Sequence, residues 1–239
     1  SPQRLIKQIA WPDPGFPVSG KNIEGFLFVS SGAVYGVQPP DLERIPEDYL
    51  GAPDVTNIRS AYGEAKRYAE MLCTLYHQRH GLPIHIARPF TFVGPYQDLN
   101  AGFAITDFIR DGLQGRPLTI QGDGTTVRSY LYTADLAIWL WTIFFKGESC
   151  RAYNIGSEED ITIAELANTV AQSFQKHIEV TIAKSPAPNR TPERYVPSTK
   201  RAQVDLGLRQ LVNIREAIER TIQHVQTRGT LYFCGMEST

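Results

Sequence analysis

Cysteine is scarce in this chain. Cys73, Cys150 and Cys234 are far apart and odd in number, and no pair has metal-ligand spacing, so no metal site is expected. Cys73 falls inside an apolar helical pattern and reads as a small core residue. This usage fits a reducing, cytoplasmic compartment. Long apolar runs are missing as well. No stretch approaches the ~20 residues needed to cross a bilayer, so no membrane association is expected. The N-terminus has no signal-peptide pattern, and it begins at Ser1 rather than Met, as a fragment or a processed product would. A charge excess is missing too. Against 24 Lys and Arg stand 25 Asp and Glu, for a net charge of −1 and a pI near 6.5. Nothing there drives binding to a phosphate backbone, so nucleic acid is not an expected partner.

What is present is the balance of a folded globular protein. The 239 residues are 42% hydrophobic and 21% charged, enough for one large domain or two small ones. Residues 1 to 24 are irregular, broken by Pro2, Pro12, Pro14 and Pro17. The apolar run Gly25 to Ser31 reads as a buried parallel strand. A polar, proline-rich loop follows over 36 to 60. Tyr62 to His80 is an amphipathic helix closed by Gly81. Leu82 to Ala87 is the next strand. Residues 103 to 114 form a helix and Leu118 to Ile120 a strand. Leu131 to Phe145 is a nearly all-apolar helix, which predicts burial on most sides. Tyr153 to Gly156 ends a strand, and Thr162 with Glu165 forms a capping box for a helix over 163 to 176. Ile178 to Ile182 is a strand, 184 to 199 a proline-rich basic loop, and Ile214 to Val225 a final helix. Nothing regular is expected after Gly229. Strand and helix alternate, so the fold class is α/β with a parallel sheet.

Two short constellations carry chemistry. Tyr62-Gly63-Glu64-Ala65-Lys66 places a phenol and an ammonium one helical turn apart on one face. A cation there stabilises phenolate and draws the phenol pKa down from ~10 toward neutrality, which suits an acid/base group. Ser30-Ser31-Gly32-Ala33-Val34-Tyr35-Gly36 lies at the C-terminal end of a parallel strand, where open α/β sheets place ligands. A hydroxyl there is available to a reacting oxygen.

In this order, a strand ending Ser-Ser-x-x-Val-Tyr-Gly and then Tyr-Gly-x-x-Lys opening a helix resembles the extended short-chain dehydrogenase/reductase family. The best-matching subset is the NAD-dependent nucleotide-sugar epimerases and dehydratases. Three later segments agree: Arg88 to Pro95, Gly122 to Tyr130 followed by Asp135-Leu136-Ala137, and Tyr153 to Ser157 followed by Ile161-Thr162-Ile163. The resemblance covers residues 24 to 227.

The resemblance implies a set of roles. Tyr62 is the acid/base, Lys66 lowers its pKa and bonds the nicotinamide ribose, and Ser31 orients the sugar oxygen; these three are the catalytic set. Ser30, Pro89 and Phe90 join Tyr62 and Lys66 around the cofactor, NAD or NADP. Thr91, Arg128 and Arg190 join Ser31 on the substrate, with the arginines gripping its diphosphate. The implied ligand is a nucleotide-diphosphate sugar, and the implied assembly is a homodimer. The implied fold is a partial Rossmann unit, a doubly wound parallel sheet, over residues 1 to 100 with return segments near 130 to 156. A smaller C-terminal α/β substrate-binding region takes up most of 101 to 239.

Two departures shape the expected reaction. Gly32 and Ala33 stand where 4,6-dehydratases of the family carry Asp and Glu, which leaves no carboxyl to assist water loss. Thr91 stands where many relatives have Asn. The glycine-rich N-terminal unit that holds the cofactor pyrophosphate is absent from this sequence, since Gly15, Gly20 and Gly25 lack its spacing. Residues 1 to 239 alone are therefore expected to hold NAD weakly. The expected activity is epimerisation by transient oxidation of a sugar hydroxyl. The alternatives are a keto-sugar reductase or dehydratase of the same family, or a non-catalytic remnant that binds nucleotide sugar.

Overall fold

The computed structural model describes residues 23–188 and 190–234, with side chains as far as Thr227. The irregular reading of residues 1 to 24 falls almost wholly outside the described residues.

The central layer is a parallel sheet in the order β1 (Phe26–Val29), β2 (Ile84–Pro89), β7 (Ala152–Ile155). Its strands are short and rich in β-branched and aromatic residues, as strands covered on both faces are. Helix α1 (Ala61–His80) follows β1 and covers one face, where Cys73 and Tyr76 pack with Ile84 and Ile86. Gly81 ends α1 in the left-handed conformation, φ 65°, which lacks a steric cost only for glycine. The other face is covered by α3 (Thr133–Lys146) and α5 (Lys200–Leu206), through Trp139, Ile143 and Ala202 against Tyr153 and Ile155. Helices on both faces of a parallel sheet are the expected α/β class.

The rest of the chain adds short strand pairs and a second core. β3 (Phe92–Val93) pairs with β6 (Leu131–Tyr132), and β4 (Leu118–Ile120) with β9 (Val180–Ile182). β5 (Val127–Arg128) lies between β8 (Ile161–Thr162) and β10 (Arg194–Tyr195). Helices α2 (Ala104–Leu113), α4 (Ile163–Gln172) and α6 (Ile214–Cys234) bury Ile105, Ile109, Leu166, Val170 and Ile218 against Leu118. The capping box of α4 is present: Thr162 Oγ1 accepts from the Glu165 amide, and the Thr162 amide donates back to the Glu165 carboxylate.

Four expectations need correction. Leu131 and Tyr132 are a strand rather than the start of α3, because they pair with β3. The apolar α3 is not buried on most sides among the described residues. Only Asp135, Trp139 and Ile143 are buried, while Trp141 is 62% and Phe145 71% exposed. One stripe meets the sheet; composition does not say how many neighbours a helix has. The loop over 184 to 199 contains β10, and the last helix runs on to Cys234.

Candidate active site

At the C-terminal end of β1 the chain turns sharply. Ser31 caps a short 3₁₀ turn, Gly32–Tyr35, by accepting a 3.1 Å hydrogen bond from the Ala33 amide. The turn is braced from below by a buried polar cluster. The Tyr35 hydroxyl donates to Asn154 Oδ1 at 2.8 Å and accepts from Arg88 at 2.7 Å. Arg88 in turn grips both carboxylate oxygens of Glu70 on α1, at 2.9 and 2.6 Å. Burial pushes the Tyr35 phenol up to about 12 despite the arginine beside it. Thus the turn after β1 and the middle of α1 are tied together through Arg88 on β2.

Above this brace opens a cavity of about 1040 Å³. Ser30, Ser31, Tyr62, Lys66, Pro89, Phe90 and Thr91 line it, together with Arg128 and the loop Gln121–Gly124. Tyr62 is exposed at the start of α1. The Lys66 ammonium donates to the Val29 carbonyl at 2.8 Å and lies 5.7 Å from the centre of the Tyr62 ring. Ser30 is buried, and its hydroxyl has no hydrogen-bond partner among the described residues. Phe90 is buried and packs on Tyr195, ring centres 4.5 Å apart. Thr91 reaches the wall, with its hydroxyl donating to the Ser129 carbonyl.

The two predicted arginines differ. Arg128 lines the cavity, bonded to its neighbour's carbonyl and to Glu193. Arg190 is exposed and is not on the cavity wall. It sits near Asp123, whose carboxyl is held below its usual range chiefly by bonds from Thr125, with a smaller pull from Arg190. Gln97 and Tyr195 also line the cavity, and sequence reasoning passed over both. The Gln97 side-chain oxygen is buried without a partner among the described residues. Tyr195 arrives on a two-residue strand inside a proline-rich loop, a context with no periodicity to announce it.

The family model for the NAD dependent epimerase/dehydratase family matches residues 18–156. This chain belongs to that family. Among curated proteins it is similar to UDP-glucuronic acid decarboxylase 5 of Arabidopsis thaliana, 34% identical over 192 residues, which are 80% of this chain and 55% of that protein. It is also similar to UDP-glucuronic acid decarboxylase 1 of Danio rerio, 31% identical over 200 residues, 83% of this chain and 46% of that protein. The chain thus spans about half the length of the curated relatives it matches. Among solved structures it resembles UDP-glucuronic acid 4-epimerase from Bacillus cereus in complex with NAD, with a TM-score of 0.72 and 25% identity over 85% of this chain and 60% of that one. It likewise resembles RMD from Pseudomonas aeruginosa complexed with NADPH, with a TM-score of 0.73 and 25% identity over 85% of this chain and 67% of that one. Membership in an NAD-dependent family and a partial Rossmann fold both agree with the expectation from the motifs.

Proposed function

We propose that this chain belongs to an enzyme that oxidises a hydroxyl of a nucleotide-diphosphate sugar, with Tyr62 as the acid/base and epimerisation as the net reaction. The observation that carries the reading is the single cavity in which Ser31, Tyr62 and Lys66 share a wall with Arg128. A cofactor fits the Tyr62 side of it. Ser30 offers a buried hydroxyl without a partner among the described residues, Lys66 a cation, and Pro89 and Phe90 an apolar surface. Those residues would hold a nicotinamide, which supplies the hydride acceptor when bound.

The chain's own groups do the rest. Tyr62 takes the proton of the sugar hydroxyl as its carbon is oxidised, and returns it on reduction. Lys66 lies one turn along α1 and places its ammonium on the same wall of the cavity. Ser31 hydrogen-bonds the reacting oxygen. Arg128 grips the diphosphate through its planar fork, and Thr91 faces the sugar. Reduction of the keto sugar from the opposite face inverts the carbon. The homodimer, the cytoplasmic compartment and the division of the chain near residue 100 belong to the same proposal.

Water loss fits this site poorly. A Cβ built on Gly32 would lie 2.5 Å from the Tyr195 hydroxyl and 2.6 Å from the Phe90 ring, so an acidic side chain has no room there. Decarboxylation is the second reading, favoured by the names of the curated relatives at 34 and 31% identity. It shares the first step. Oxidation of a hexuronic acid at carbon 4 gives a β-keto acid, which loses CO₂ readily.

The test is to incubate the full-length protein with NAD and UDP-glucuronic acid, and with UDP-glucose, and to follow products by NMR. A 4-epimer supports the first reading. A UDP-pentose with released CO₂ supports the second, and a 4-keto-6-deoxy sugar would overturn the exclusion of dehydration. No change in any nucleotide sugar defeats the enzymatic reading.

A further inference from the structure

Thr91 stands on the cavity wall with both its polar groups tied to one segment. Its carbonyl accepts from the Leu131 amide at 3.1 Å, and its hydroxyl donates to the Ser129 carbonyl. The direction of the second bond is fixed, because a carbonyl oxygen only accepts. Ser129 is buried, so withdrawing that proton would strand a buried acceptor. A threonine hydroxyl has one proton, and here it is spent. What remains for the cavity is its lone pairs.

Gln97, beyond the end of β3, adds a second acceptor. Its Nε2 donates to the Phe92 carbonyl at 3.2 Å, which fixes the nitrogen on that side of the amide. Its Oε1 is buried and lacks a donor among the described residues, although the residue lines the cavity. Charge on the rest of the wall points the same way. Among the described residues its cations are Lys66 and Arg128. Lys66 donates to the Val29 carbonyl beside Tyr62, and Arg128 is paired with Glu193 and assigned to the diphosphate. The carboxylates of Asp107 and Asp123 line the same cavity.

We propose that Thr91 is a specificity-determining residue: it accepts a hydrogen bond from a sugar hydroxyl, and the substrate is the nucleotide diphosphate of an uncharged sugar rather than of a hexuronic acid. The inference rests on the reading of this cavity as a nucleotide-sugar site. A hydroxyl brings the proton that Thr91 and Gln97 lack. A carboxylate brings only lone pairs, so beside Thr91 acceptor meets acceptor. Near Asp107 or Asp123 it meets like charge, and a carboxylate taken from water without a cation or donors is costly. Selectivity of this kind comes from what the wall rejects as much as from what it binds. It also separates the two readings of the reaction, since decarboxylation needs the carboxylate and epimerisation of a neutral hexose does not.

The test titrates full-length protein carrying Tyr62→Phe, which should hold the sugar without turning it over, with UDP-glucose and with UDP-glucuronic acid in the presence of NAD. UDP-glucose should bind more tightly by about tenfold or more. Thr91→Val keeps the shape and deletes the acceptor. It should weaken UDP-glucose by about 3- to 10-fold, the net worth of one hydrogen bond, and leave UDP-glucuronic acid nearly unchanged. Thr91→Ser keeps the hydroxyl and should keep the preference. Equal or tighter binding of UDP-glucuronic acid, or a preference that Thr91→Val does not move, overturns the proposal and leaves the nucleotide-sugar site standing. Release of CO₂ from UDP-glucuronic acid by the wild type also overturns it, and that assay decides even if Thr91→Val does not fold. If neither UDP sugar binds, the reading of the cavity fails and takes the proposal with it.

Discussion

Arg128 is held by Glu193: its guanidinium meets the carboxylate at 2.7 Å, across β5 and the residue that precedes β10. The arginine proposed to grip the substrate diphosphate is therefore already paired. Glu193 is the more exposed partner, 54% against 22%. An exposed ion pair of this kind holds weakly, typically by no more than about 1 kcal/mol. A diphosphate, with more negative charge and a bidentate fit, can replace it.

The first prediction follows from that competition. Arg128→Ala should weaken UDP binding by about 1.5–3 kcal/mol, the scale of charge-assisted hydrogen bonds. Glu193→Gln should act in the opposite direction and tighten binding by up to about fivefold, because less has to be displaced. Isothermal titration of both variants with UDP checks the pair. Equal affinities in all three proteins would remove Arg128 from the diphosphate site.

Tyr62→Phe keeps the ring and deletes the only proton that the ring can move. Turnover in the full-length protein should fall by ~10²–10⁴-fold while substrate affinity barely changes. Lys66→Met should also slow the reaction, since the cavity wall loses the ammonium that stands 5.7 Å from the Tyr62 ring. A Tyr62→Phe variant with ordinary turnover would leave the fold assignment standing and defeat the catalytic one.

The brace beneath the site should govern stability. The Arg88 and Glu70 side chains are only 15% and 11% exposed and meet through two hydrogen bonds. Breaking such a buried pair by Arg88→Leu leaves the carboxylate stranded and should cost about 3–5 kcal/mol. The urea midpoint would report it. Replacing Glu64 instead, whose pair with Arg67 is longer at 3.8 Å and more exposed, should cost less than about 1 kcal/mol.

High pH should destabilise the fold through its buried phenols. Burial raises Tyr35 and Tyr130 from 10.0 to about 12. In the unfolded chain a tyrosine loses its proton near 10, whereas these two keep theirs until about 12 in the folded state. Their contribution is therefore fully present below pH ~10 and is lost as pH climbs from ~10 to ~12, by about 2–3 kcal/mol for each. Denaturation midpoints measured between pH 9 and 12 should fall accordingly. Tyr130→Phe should flatten part of that fall, because one titrating phenol is gone.

Much of the site was legible in the chain before any coordinates. The Tyr62–Lys66 spacing puts both groups on one face of α1 whatever surrounds the helix, because 3.6 residues make a turn. The capping box at Thr162 and the glycine that ends α1 are equally local. A strand that ends in Ser30 and Ser31 places those hydroxyls at the ligand-binding edge of a parallel sheet. Each of these depends on residues within a few positions of one another, and local geometry is what sequence spacing encodes.

The remainder depended on contacts between distant residues. β10 is two residues long and exists as a strand only because β5 pairs with it, so nothing nearby marks Tyr195 as a wall of the site. Its packing on Phe90 joins positions far apart in the chain, as does the bond from Tyr35 to Asn154. The exposed face of α3 was hidden in the same way. Its apolar composition is a local fact, but burial is set by which neighbours arrive, and that is decided when the sheet and helices pack.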